Sequence, residues 1–286
     1  MKSKTLFILA GLLLALSLLP LLRTAEKTDG GGISWFRDAP GAFENAKAED
    51  RNVVLFLYTD WCGYCRQMDS TTFVDPAVTG ELGERFTWLR LNAETDREGA
   101  ARRERYGVTG FPTIMLLTAD DEEIDRIPGY VPPDRFRSMV LEMVESPTSL
   151  AGLRERLASG GPDPEAQFAL AAKYMERGMV EQAAENFRKA AELDPANQSG
   201  RADQSLYYYA ETQVQMRNTA EALRALQDLQ RRFPESALAG EADLMRAEIH
   251  FNRGETDQAK DLLSRFLVAN PDHRAAAQIR RILDEF

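Results

Sequence analysis

The chain has 286 residues, with 35 Lys and Arg against 45 Asp and Glu, a formal net charge of -10. That length allows about two domains, and the acidic balance supplies no basic footprint for a phosphate backbone, which argues against a nucleic-acid partner. Two Cys cannot form a disulfide framework, and two His add too little for a tetrahedral metal site, so no metal is expected.

The N-terminus places Lys2 and Lys4 before a nearly unbroken apolar run from Leu6 to Leu22. The run is long for a signal-peptide core and just long enough to cross a hydrocarbon layer of ~30 Å. Cleavage after Ala25 would leave Arg23 where a small residue is wanted, and the segment has no Cys to carry a lipid. Residues 1–25 are therefore expected to anchor the chain in the inner membrane through residues 6–22, with cleavage and secretion as the alternative. The lysines predict a cytoplasmic N-terminus and a periplasmic or otherwise extracytoplasmic remainder. Residues 26–32, ending in Gly30-Gly31-Gly32, read as a flexible linker.

Residues 33–146 mix strand-like and helix-like segments, the pattern of an α/β layer architecture. Asn52-Val53-Val54-Leu55-Phe56-Leu57-Tyr58 reads as a continuous apolar run bounded by polar residues, as in a strand buried on both faces. Further strands are expected at 86–92, 113–118 and 123–127, and helices at 39–49, 63–70, 75–84, 97–105 and 133–145. Both cysteines fall in Trp61-Cys62-Gly63-Tyr64-Cys65, directly after the first strand and at the mouth of a helix. A helix start aims amide donors and the positive end of the helix dipole at the first sulfur, which stabilises its thiolate. Cys62 is the expected nucleophile. Cys65, one turn further in and less exposed, is the expected resolving thiol, which attacks the mixed disulfide. A structural disulfide and a soft-metal site are the alternatives.

With this strand, turn and CxxC helix, the segment from about Trp35 to Val144 resembles the thioredoxin superfamily. Val108-Thr109-Gly110-Phe111-Pro112-Thr113 is similar to the family loop in which a cis-proline faces the active site. The resemblance implies that Pro112 is cis, that Phe111 offers backbone groups to a bound substrate, and that Trp61, Gly63 and Tyr64 support the site. Gly129, followed by Tyr130, matches the family glycine after the last strand. The stretches around Asp60, Thr72-Phe73 and Leu91-Asn92 are similar to the C-terminal thioredoxin-like domain of the membrane thiol:disulfide reductase DsbD, whereas Gly63-Tyr64 resembles the dipeptide of the disulfide isomerase DsbC. Thioredoxins carry a buried Asp six residues before the first Cys; this chain has Phe56 there, which leaves water, Asp60 or Glu94 as candidates to move the proton of Cys65.

Residues 147–163 are expected as a linker around one short helix. From 164 to 286 the composition turns to Ala, Leu, Glu, Arg and Gln without a strand-like run, and Pro195, Pro234 and Pro271 recur at spacings of 39 and 37. Repeats of this length are typical of helical solenoids. Leu170, Ala171, Tyr174, Gly178, Ala183, Phe187 and Ala190 fall on the characteristic positions of a tetratricopeptide repeat, which this region resembles; two degenerate copies and a capping helix after His273 follow. The resemblance implies a partner protein bound on a concave surface, for which Tyr207, Tyr208, Tyr209, Arg217 and Arg224 are candidates, with one or two of the tyrosines alternatively in the inter-helix core.

Together these readings describe an exported thiol-disulfide oxidoreductase that reduces extracytoplasmic protein disulfides. It needs no organic cofactor, since the electrons reside in the dithiol, but it requires a membrane redox partner for recycling. A disulfide isomerase or oxidase, a copper carrier, and a non-enzymatic assembly factor with a dormant CxxC are the alternatives.

Overall fold

The computed structural model describes residues 32–285. The expected anchor at residues 6–22 and linker at 26–31 lie outside the described residues. The chain divides between Ser146 and Pro147 into two compact units.

The first unit is a five-stranded sheet in the order β1-β3-β2-β4-β5, flanked by helices. Strand β2 (Val53–Tyr58) is central, pairing parallel to β3 (Thr87–Asn92) and antiparallel to β4 (Thr113–Leu117). Val53 through Leu57 are all buried, as the unbroken apolar run requires of a strand covered on both faces. Strand β5 (Glu123–Pro128) closes one edge antiparallel to β4. Strand β1 (Trp35–Phe36) adds parallel to β3 at the other edge, with Trp35 opposite Trp88. It was not expected from the sequence, because two residues are too few to show an alternation.

Helix α1 (Ala39–Ala48) is capped by Asp38, whose Oδ1 accepts from the Gly41 amide, and its Ala39, Ala42 and Ala46 pack into the core with Leu55, Leu57, Leu89 and Leu91. Helix α2 (Gly63–Ser70) follows β2, and α3 (Pro76–Leu82) begins at Pro76 behind the capping carboxylate of Asp75. Helices α4 (Arg97–Arg105) and α5 (Pro133–Glu145) complete the unit. Under α2, Trp35, Phe56, Phe73, Trp88 and Phe136 form an aromatic cluster of mostly edge-on contacts with centroids 4.9–6.4 Å apart, the separations that ring quadrupoles favour.

The second unit is helical. Its first helix, α6 (Leu150–Ser159), lies within the segment expected as a linker, yet Leu150 and Leu153 are buried in one core with Leu170, Ala171, Tyr174 and Phe187. Helix pairs follow: α7 (Pro164–Glu176) with α8 (Val180–Leu193), α9 (Ala202–Gln215) with α10 (Thr219–Arg232), and α11 (Leu238–Asn252) with α12 (Thr256–Ala269); α13 (Ala276–Glu285) comes last. The repeat is exact enough to show in the backbone. Gly178, Arg217 and Gly254 occupy the same turn with φ of 67°, 61° and 74°. Asp194, Phe233 and Asn270 end the second helices with φ between -133° and -126° and ψ between 62° and 66°, and each precedes a proline that forbids the helix to continue.

Candidate active site

Strand β2 delivers the chain to Thr59 and Asp60, and the turn through Trp61 sets Cys62 as the N-cap of α2 in extended geometry. The Cys65 amide donates to Cys62 Sγ at 3.1 Å, so one orphan donor of the first helical turn is satisfied by this sulfur. Cys62 and Cys65 form a disulfide with Cα atoms 5.2 Å apart. Cys62 is 3% and Cys65 2% exposed. The expected contrast between a more exposed first and a less exposed second cysteine is therefore absent in this disulfide form.

Asn92, at the end of β3 and buried, organises the loop that carries the dithiol. Its Nδ2 donates to Asp60 Oδ1 at 2.9 Å, its Oδ1 accepts from the amides of Glu94 and Thr95 at 2.9 and 3.1 Å, and its own amide donates to Asp96 Oδ2 at 2.7 Å. The Arg66 guanidinium donates to the Asp60 carbonyl at 2.8 Å. Of the two carboxylates considered as proton carriers for Cys65, Asp60 accepts from Asn92, and Glu94 Oε2 accepts from the Trp61 indole N–H at 2.9 Å. Phe56, in place of the acid that thioredoxins bury, is fully enclosed among rings.

Two exposed aromatic residues flank the cysteines. Trp61 is 66% exposed and meets Phe111 edge-on at 6.2 Å; Tyr64 is 63% exposed and stacks on Tyr130 at 6.3 Å. The Phe111–Pro112 bond is cis. The Pro112 carbonyl accepts from the Gly129 amide at 2.8 Å, and Gly129 adopts φ +79°, which a side chain would strain. The Trp61–Phe111 contact thus joins the CxxC loop to the cis-proline loop. Gly63, in the first turn of α2, is exposed. Among the described residues, no group of three His, Cys, Asp or Glu is arranged to hold a metal ion.

The sequence reading named no ion pairs, and among those the structure shows one adjoins the CxxC helix. Arg90, the polar residue in the otherwise apolar stretch Trp88-Leu89-Arg90-Leu91, binds Asp69 of α2 through two bonds of 3.2 Å. A lone arginine at an inward register position of a strand was the available signal.

In the helical unit, the candidate tyrosines contribute to packing. Tyr208 stacks on Phe187 at 5.4 Å; Tyr207 and Tyr209 are partly buried against the core of the α9–α10 pair, and the Tyr209 hydroxyl donates to Glu221 at 3.3 Å. Burial, followed by the negative charge of Glu221, raises the Tyr209 hydroxyl above the usual phenol range. Arg224 pairs with Glu221 at 3.0 Å, and Arg217 is exposed at its turn.

Residues 39–143 match the family described as thioredoxin-like domain, residues 164–197 match the tetratricopeptide repeat, and residues 199–282 match the YfiO family, described as outer membrane lipoprotein. The chain thus joins a thioredoxin-like domain to tetratricopeptide-type repeats. It is similar to the thiol:disulfide interchange protein DsbD of Haemophilus influenzae (strain PittGG), 31% identical over 95 residues, or 32% of this chain and 16% of that protein. DsbD of Pectobacterium atrosepticum is 35% identical over 89 residues, 30% of this chain and 15% of that protein. The chain therefore spans about one sixth of the length of these curated relatives. A thioredoxin from Thermus thermophilus superposes over 40% of this chain and 88% of its own, at 28% identity and a TM-score of 0.36.

Proposed function

We propose that the protein is an exported thiol-disulfide oxidoreductase that reduces disulfides of extracytoplasmic proteins, with its repeats holding a partner protein near the thioredoxin-like domain. The observation that carries this reading is the Cys62–Cys65 disulfide at the head of α2, with an amide of the first turn on the Cys62 sulfur. That arrangement stabilises a thiolate at Cys62, which is what nucleophilic exchange needs.

In the reduced protein the Cys62 thiolate attacks one sulfur of a substrate disulfide. A Cys62–substrate bond forms, the substrate bond breaks, and the other substrate sulfur leaves as a thiolate that takes up a proton. Cys65 then loses its proton and attacks the Cys62 sulfur, releasing the second substrate thiol and leaving the Cys62–Cys65 disulfide. Two electrons have passed to the substrate, and a membrane redox partner supplies two more, with two protons, to restore the dithiol. Trp61, Tyr64, Phe111 and Pro112 surround the cysteines and form the surface a substrate strand meets; Gly63, without a side chain, keeps the first helical turn open. The electrons travel in the dithiol, so no metal or organic cofactor is called for.

Similarity to a protein named for thiol:disulfide interchange supports the chemistry, and that name together with the match to an outer-membrane lipoprotein family supports a place in the envelope. Residues 6–22 would hold the chain in the inner membrane. Isomerase or oxidase activity is the second reading, favoured by Gly63-Tyr64. The test is reduction of a disulfide-containing protein by the reduced full-length chain. Turnover that disappears in Cys62→Ser supports the proposal; a Cys62→Ser variant that fully restores function to a deletion strain rejects catalysis in favour of an assembly role for the repeats.

A further inference from the structure

We propose that Arg90 and Asp69 are positioning residues for the resolving thiol, an ion pair behind the dithiol whose two charges act on Cys65 in opposite senses and so balance the redox equilibrium of the site. The proposal rests on the redox reading above. Asp69 follows Cys65 by four residues on α2, so the two side chains are neighbours on one helix face, with Cβ atoms about 5–6 Å apart. The Asp69 carboxylate accepts two bonds of 3.2 Å from the Arg90 guanidinium.

Arg90 stands opposite Phe56 in the β2–β3 register, so its charge lies beside the position where thioredoxins bury an acid. Its guanidinium sits 4.8 Å from the Tyr58 ring centre, 5.5 Å from Trp35 and 5.7 Å from Phe56, and Nε is buried without a hydrogen-bond partner. The Arg90 side chain is 15% exposed and that of Asp69 36%. A cation in such a setting is weakly screened, and the Asp69 carboxylate offsets it. Paired, the two charges nearly cancel at Cys65. Unpaired, the arginine favours the Cys65 thiolate and the aspartate disfavours it.

The test is equilibration of the full-length protein with glutathione, in which two glutathione thiols and the Cys62–Cys65 disulfide give the protein dithiol and one glutathione disulfide. At about pH 9, where Cys65 of the reduced protein is partly ionised, a charge that favours the thiolate pulls this equilibrium toward the dithiol. Asp69→Asn, which leaves Arg90 alone, is expected to raise the reduction constant at least about threefold. Arg90→Met is expected to lower it, by less, because solvent screens the half-exposed Asp69. The double variant Asp69→Asn/Arg90→Met returns to within about twofold of the parent, and Arg90→Lys stays near it. Single variants that shift in the same direction, with no recovery in the double variant, would show a pair that only holds the helix, and four equal constants would show no role; either result overturns the proposal. A parent protein that does not exchange with glutathione at all would defeat the redox reading instead. In that event the iodoacetamide alkylation rate of Cys65 in a Cys62→Ser background still decides, rising in Asp69→Asn and falling in Arg90→Met if the charges act as proposed, and unchanged if they do not.

Discussion

Asn92 and Asp60 are joined by a 2.9 Å hydrogen bond from the Asn92 amide nitrogen to the Asp60 carboxylate, two residues before the first cysteine. The bond ties the end of β3 to the turn that β2 feeds into the CxxC helix. Because the side-chain Oδ1 of Asn92 also accepts from the backbone amides of Glu94 and Thr95, one buried side chain fixes both loops. Replacing it with Ala removes three hydrogen bonds from a partly buried network and leaves the Glu94 and Thr95 amides to solvent, a loss of about 1–2 kcal/mol. Chemical denaturation of Asn92→Ala is expected to show that loss; the milder Asp60→Ala, which removes only the exposed partner, is expected to cost less than about 1 kcal/mol.

The repeat unit offers a prediction of opposite sign. Arg217 holds φ 61° in the turn that Gly178 and Gly254 fill in the neighbouring copies. A residue with a Cβ is strained there, and glycine is not, although glycine loses more entropy on folding. Arg217→Gly is therefore expected to stabilise the protein by about 0.5–1 kcal/mol, and Gly254→Ala to destabilise it by about 1 kcal/mol. Thermal melts of the two variants check both signs; equal losses would contradict the account.

Tyr106 gives the pH dependence. Its hydroxyl donates to Asp121 at the carbonyl, 2.7 Å, and at the carboxylate, 2.9 Å. Burial, then the bond and charge of Asp121, push its ionisation well above the usual phenol value. The folded state holds this proton where the unfolded chain has lost it, so the contribution is complete below about pH 10 and is lost as pH rises through the alkaline range. Tyr106→Phe is expected to be less stable at neutral pH by about 1 kcal/mol and to lose less stability than the parent between pH 9 and 11. A parallel decline of the two proteins would contradict the assignment.

Much of this architecture was legible in the chain. The apolar run Val53–Leu57 marked the central strand, Trp61-Cys62-Gly63-Tyr64-Cys65 fell where a strand meets a helix, and Pro195, Pro234 and Pro271 marked the repeats. Other features depend on tertiary pairing that local patterns do not encode. Strand β1 is two residues long and exists because β3 offers it an edge. Leu150 and Leu153 became core only when Leu170 and Phe187 came against them. The bonds of Asp60 to Asn92 and of Glu94 to Trp61 span 32 and 33 residues, which no local pattern announces. The Arg90–Asp69 pair links residues 21 apart, so the lone arginine in an apolar strand marked one partner but not the other.

The two-cysteine chemistry predicts an asymmetry between the thiols. With Cys65 replaced by Ala, Cys62 still attacks but nothing resolves the product, so a covalent complex with substrate accumulates. With Cys62 replaced by Ser, none forms. Non-reducing electrophoresis after incubation with a disulfide-containing protein reads the difference, and a complex formed equally well by both variants would remove Cys62 from its role.

The direction of electron flow is the central claim, and the reduction potential of the Cys62–Cys65 couple in the full-length protein tests it most directly. Equilibration against defined dithiothreitol or glutathione ratios is expected to place it near the thioredoxin end of the scale, about -270 mV, as a reductase fed from the membrane requires. A value near -120 mV would contradict the account and assign the protein to the oxidants or isomerases.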